Sequence, residues 1–210
     1  MTTGVGVALF VIDIQNALAA DPATQTPHAD RIKAAGTKIL STAREIVDCN
    51  RTQSPSSYRI VFVQHEQPAD DGPLVRGSQP WKLVFEPRAG VAEEMLVAKT
   101  TRDTFESNPA LAAQLKALGI TDIIAFGIQS ECCVESTCSG ALVAGFGVTL
   151  LKGAHSTYDD EGKSAVEIER EVEGRLAEKG PGLSRGRRWL GGGRGRGAWI
   201  FGCDRSRPLK

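Results

Sequence analysis

The sequence predicts a three-layer α/β/α domain: a Rossmann-like, mostly parallel sheet of five to six strands with helices on both faces. Three observations predict it. Short apolar runs alternate along the chain with stretches of helical period, which is the pattern of strands joined by covering helices. Several of those runs are apolar throughout rather than alternating with polar residues, as strands buried on both faces are. The chain has 210 residues, of which 41% are apolar and 24% charged, enough for one such domain with a sizeable core.

In order, residues 5–12 form a continuous apolar run ending at Asp13, the first strand. Residues 30–47 carry Ile32, Ile39, Leu40, Ala43, Ile46 and Val47 at helical spacing. A polar Ser/Pro loop follows over 50–57, and residues 59–64 form a second strand ending at His65. Residues 66–92 are rich in Gly, Pro and Asp and predict a long excursion over one rim. Residues 94–98 form a third strand, ending at Lys99. Asn108-Pro109 reads as an N-cap followed by proline at the first helical position, with the helix running to Leu118. Residues 122–126 form a fourth strand, 133–144 a helix, 146–151 a fifth strand and 163–179 a charged amphipathic helix. Domain organisation follows: residues 1–180 are one α/β domain, and 181–210 an atypical, irregular Gly/Arg-rich tail.

Ligands of open parallel sheets bind outside the carboxyl ends of the strands. The residues there are Asp13, His65, Lys99 and the turn at 127–133. That turn carries two adjacent cysteines, Cys132 and Cys133, where a helix begins. A thiol in the field of a helix N-terminus is favoured as thiolate, the nucleophilic form. Trp81 and Phe105 are candidate walls of an apolar pocket, with His65 as a further lining residue. Cys132 and Cys138 read as small buried apolar residues, and Gly127 as an ordinary strand-to-turn junction.

Composition excludes other classes. No apolar run is long enough to span a bilayer, so no membrane partner is expected. The first residues lack the basic start and small-residue cleavage site of a secretory signal. Five cysteines without paired spacing predict neither a disulfide framework nor a zinc site and suit the cytoplasm. The net charge is zero, but residues 181–210 hold eight Lys/Arg against one Asp. Such a tail can attract nucleic acid. Its lack of any period predicts an irregular segment without that function.

Three motifs together resemble one family. Val11-Ile12-Asp13-Ile14-Gln15-Asn16, Val97-Ala98-Lys99 with Phe105 after it, and the turn from Gly127 through Cys132-Cys133-Val134 to Thr137 resemble motifs of the isochorismatase-like cysteine hydrolases, in order. The resemblance implies a catalytic set of Asp13, Lys99 and Cys133, the nucleophile being the cysteine directly before valine. It implies a cis peptide at Ile128–Gln129, and an oxyanion hole from the amides of Gln129 and Cys133. It implies a homo-oligomer and a small-molecule amide substrate, cleaved at a C–N bond through a thioester. Two alternatives are a catalytically inactive binding or assembly module on the same fold, and a vinyl ether hydrolase of the isochorismate type. Metal-dependent nicotinamidases carry an Asp-x-His and a further His near the second strand. Here that stretch is Gln64-His65-Glu66-Gln67-Pro68, so no metal and no other cofactor is expected.

Overall fold

The computed structural model describes residues 6–50 and 57–179. The strands are β1 (Gly6–Ile12), β2 (Tyr58–His65), β3 (Glu94–Lys99), β4 (Ile120–Ile128) and β5 (Gly147–Ser156). They form one all-parallel sheet in the order β3-β2-β1-β4-β5. The helices are α1 (Asn16–Ala19), α2 (Ala29–Asn50), α3 (Thr104–Ser107), α4 (Leu111–Ala117), α5 (Glu135–Val143) and α6 (Ala165–Lys179). The predicted tail at 181–210 and any sixth strand after α6 lie outside the described residues. No helix among the described residues is long and apolar enough to cross a membrane.

The central strand shows why the layers form. Every residue of β1 is buried, and successive side chains point to opposite faces. Ala8, Phe10 and Ile12 enter one core with Leu111 and Leu115 of α4, Ala141 of α5 and Val172 of α6. Leu9 and Val11 enter the other with Ile32, Ile39 and Leu40 of α2. Both faces are thus covered, which a continuous apolar run requires.

Three boundaries differ from expectation for local reasons. Asn108 does not cap α4; its side chain donates to the carbonyls of Ala98 and Thr104, both at 3.0 Å. The short helix α3 was not legible, yet it has its own cap, the Asp103 carboxylate accepting from the Phe105 N–H at 2.8 Å. Strand β5 runs on to Ser156, past Lys152 and Gly153, which broke the apolar pattern.

The excursion at 66–92 is sewn to the strand ends. Its Val84 N–H donates to Ile14, and Gln15 pairs with Leu83 in an isolated antiparallel bridge. Its far end is held by Glu94, whose side chain is fully buried and accepts from Arg44 of α2 at 3.0 and 3.1 Å and from Arg88. Burial opposes charge on Glu94, but the Arg44 and Arg88 hydrogen bonds outweigh it and hold its pKa below the usual carboxylate value. A carboxylate with a depressed folded pKa stabilises above its unfolded-state value, and that stability is lost as pH falls through the lower folded value. Glu94→Gln is therefore expected to lower unfolding free energy by about 1.5–3 kcal/mol at neutral pH. Urea unfolding should show the gap between wild type and variant closing below about pH 4; a gap constant with pH would contradict the pairing.

Candidate active site

The carboxyl ends of β1, β2, β3 and β4 bring Asp13, His65, Lys99 and the turn at 129–134 together. Asp13 follows β1 with φ 49°, a left-handed conformation that Asp tolerates better than bulky residues. Its N–H still donates to Val63, while its carbonyl accepts from Gln15 two residues on. The chain therefore folds back sharply and leaves the carboxylate over the strand end. Gln15 fixes this corner: fully buried, it donates to the carbonyls of His65 and Trp81 at 2.9 and 2.7 Å and accepts from the His65 N–H.

Lys99 is the hub. It is 1% exposed, and its ammonium lies 2.8 Å from Asp13 Oδ2 and 3.1 Å from each of Cys133 Sγ, His65 Nδ1 and the Thr101 carbonyl. Four acceptors surround three N–H bonds. Burial opposes the charge on Lys99, but Asp13 and then Cys133 outweigh it and raise its pKa. His65 is pushed the other way by burial and then by Lys99, so it is neutral at neutral pH. Because Nδ1 faces an ammonium, the ring proton belongs on Nε2. Asp13 Oδ1 has no hydrogen-bond partner among the described residues.

Cys133 does not open a helix. It lies inside a π-helical turn, Ser130–Val134, in which Val134 donates to Gln129 and Glu135 to Ser130 before α5 begins. Such wide single turns recur at functional sites. Burial, and after it the Asp13 carboxylate, push the Cys133 thiol up to about 12 against the pull of Lys99. This corrects the expectation of a thiol acidified by a helix start: at rest the sulfur keeps its proton. The Ile128–Gln129 peptide is cis, at the position expected. The Gln129 N–H donates to no group among the described residues.

Gly127 does more than relax a junction. It has φ 147°, and a Cβ there would stand 2.0 Å from the Ile12 carbonyl oxygen. β4 thus passes directly against the backbone that ends in Asp13. Gly127→Ala must shift one of the two strands, so about 1–3 kcal/mol of stability should be lost. Urea unfolding and amide turnover should both register it; a variant equal to wild type in both would remove this close approach as a constraint.

A cavity of about 230 Å³ opens beside the sulfur. Asp13, His65, Cys133 and Gln129 line its chemical end, and Leu18, Leu74 and Ile128 its apolar wall. Cys132 and Arg102 are among the lining residues that the sequence did not predict. Cys132 is half-buried and faces this cavity, whereas Cys138 is buried in the core as expected. Arg102 stands exposed at the mouth, three residues beyond Lys99. Two expected wall residues are elsewhere. Phe105 is buried in the core, stacked on Phe10 with ring centroids 5.9 Å apart; the large ring suited helix packing better than the rim. Trp81 contributes its carbonyl, which accepts from Gln15 and from Gln64, rather than its ring.

Asp13, His65 and Cys133 each offer a ligand atom within 4.8 Å of the others. The Lys99 ammonium already sits within hydrogen-bond reach of all three side chains. A divalent cation held by this set would have to lie against that positive charge, so these residues do not fit a metal.

A family model for the isochorismatase domain matches residues 7–171. A streptothricin hydrolase of Streptomyces noursei is 34% identical over 154 residues, covering 72% of this chain and 55% of that protein. The chain thus spans about half the length of the streptothricin hydrolases it matches. Nicotinamidase 3 of Arabidopsis thaliana is 25% identical over 167 residues, covering 73% of this chain and 75% of that one. Among solved structures, the pyrazinamidase of Pyrococcus horikoshii in complex with zinc has the same fold. Its TM-score is 0.63, with 21% identity over 85% of this chain and 97% of that chain.

Proposed function

This chain belongs to the isochorismatase-like hydrolase family, and from that membership we propose that it is a cysteine-dependent hydrolase of a small amide or related C–N bond. The observation that carries the reading is the Lys99 ammonium, within hydrogen-bond reach of both the Asp13 carboxylate and the Cys133 sulfur. The relatives named streptothricin hydrolase and nicotinamidase support a C–N substrate.

Because the resting thiol is protonated, attack and proton transfer are coupled. Asp13 takes the Cys133 proton as sulfur bonds the carbonyl carbon. The oxygen gains the negative charge and meets the N–H groups of Gln129 and Cys133. Asp13 then returns the proton to the leaving nitrogen, the C–N bond breaks, and a thioester remains. Asp13 next takes a proton from water as its oxygen bonds the thioester carbon; the C–S bond then breaks, the carboxylic acid is released, and Asp13 returns the proton to the Cys133 sulfur. Lys99 stays an ammonium throughout and offsets charge first on Asp13, then on sulfur. No step runs through a metal.

The test is a panel of small primary amides and lactams, read by amine release and by the intact mass of acid-quenched enzyme. Turnover together with an acyl mass on Cys133 is expected. Turnover with no such adduct, or with the adduct on Cys132, would overturn the thioester route. Amides that bind in calorimetry yet are never turned over would instead favour the binding module.

A further inference from the structure

We propose that the end of β5 and the residue after it, residues 155–157, form a clamp that positions the nucleophile turn; this rests on the hydrolase reading above. The pairing of β4 with β5 is in register up to Ala125 opposite Leu150 and then jumps, so that Gly127 faces His155 and Ile128 faces Ser156. Such a bulge re-aims the side chains that follow it. Here it delivers three consecutive polar residues, His155, Ser156 and Thr157, each fully buried.

Each reaches a different anchor. His155 Nδ1 lies 2.9 Å from Ser130 Oγ, and Thr157 Oγ1 donates to Glu131 Oε1 at 2.8 Å. Ser130 and Glu131 are the two residues directly after Gln129 and open the turn that carries Cys133. Ser156 Oγ donates to Glu169 Oε1 of α6 at 2.7 Å, and Glu169 pairs with Arg31 of α2. His155 Nε2 faces Glu173 Oε1 of α6 at 3.5 Å, and Glu173 pairs with Lys152. With Nε2–H toward that carboxylate, Nδ1 is the acceptor and the Ser130 hydroxyl the donor.

Buried polar groups are costly unless satisfied, and hydrogen bonds between them fix one geometry; here the Ser130, Ser156 and Thr157 hydroxyls are satisfied, while His155 Nε2 makes only the longer approach to Glu173. This network ties the turn to two helices on opposite faces of the sheet. His155 and Thr157 touch neither the cavity nor the reacting sulfur, so they are positioning residues. Their effect is on the aim of the amides at 129 and 133, which matters in the transition state more than in substrate binding.

Three variants test this: His155→Leu, His155→Asn and Thr157→Val. Asparagine keeps an acceptor near the place of Nδ1. His155→Leu should lower kcat about 10–100-fold with KM within about twofold, roughly the effect of misaiming an oxyanion donor. Asparagine should recover most of that loss. Hydrogen exchange at residues 129–134 should rise in His155→Leu and in Thr157→Val while their urea midpoints stay near wild type. If His155→Leu does not fold, Thr157→Val carries the test alone, with the same split and the same exchange. Unchanged kcat and unchanged exchange in a folded variant, or asparagine no better than leucine, would overturn the clamp. If wild type turns over no amide while the variants still expose the turn, the clamp stands and the hydrolase reading falls.

Discussion

Replacing Cys133 with alanine is expected to cut kcat/KM for any amide substrate by ~10³-fold or more, because the covalent step loses its only attacking atom. Cys132→Ala, one position earlier and on the wall of the same cavity, should stay within a few-fold of wild type. The pair is informative because both sulfurs line the cavity, but only Cys133 lies against Lys99, at 3.1 Å. Cys132 lies near Glu131 instead, and burial followed by that carboxylate raises its pKa. Equal losses in the two variants, or none in Cys133→Ala, would remove the nucleophile assignment.

Asp13→Asn should separate two quantities that usually move together. Amide turnover should fall about 10²–10⁴-fold, the range for losing a general base. Alkylation of Cys133 by iodoacetamide at neutral pH should instead become faster. In wild type the Asp13 carboxylate is the largest influence after burial holding the thiol up to about 12, and Lys99 opposes it. Removing the negative charge leaves the ammonium to favour thiolate, so the pKa falls and more thiolate is present at a given pH. Wild type should show its alkylation inflection above that of free cysteine. The variant should also unfold more readily, since Lys99, 1% exposed, loses its ion-pair partner. Slower alkylation in Asp13→Asn would contradict the sign of the Asp13 effect.

Much of this arrangement was legible because parallel strands announce themselves. The apolar run ending at Asp13 is buried along its whole length, and a fully buried strand leaves its first polar residue at the rim. The same logic located His65 and Lys99, whose strands end at those residues. What was not legible depended on distances between segments far apart in sequence. Nothing local to Gly127 reveals the Ile12 carbonyl 2.0 Å from its missing Cβ. Lys152 and Gly153 hid the continuation of β5, so the reach of His155 and Thr157 to the turn could not be read. The thiol was misjudged for a related reason. A helix start is a sequence feature, whereas Cys133 is dominated by burial and then by the charge of Asp13, which lies at the end of β1, far off in sequence. Phe105 shows the converse error, an aromatic near a motif that packs into the core with Phe10 and Phe146.

The four acceptors around Lys99 have a consequence for how the site answers a moving charge. An ammonium is a rotor about its Cε–Nζ bond. With Asp13, His65, Thr101 and Cys133 all within 3.1 Å, a small turn re-allots its three protons without displacing a heavy atom. In the reaction proposed above, Asp13 is neutralised when it takes a proton and sulfur is charged when it leaves the thioester, and the surroundings would follow both changes by that rotation alone. In water the same transfer would require many solvent dipoles to reorient. Here one side chain would serve as the solvent shell for the two protein atoms of the proposed reaction, the Asp13 carboxylate and the Cys133 sulfur, which it already faces.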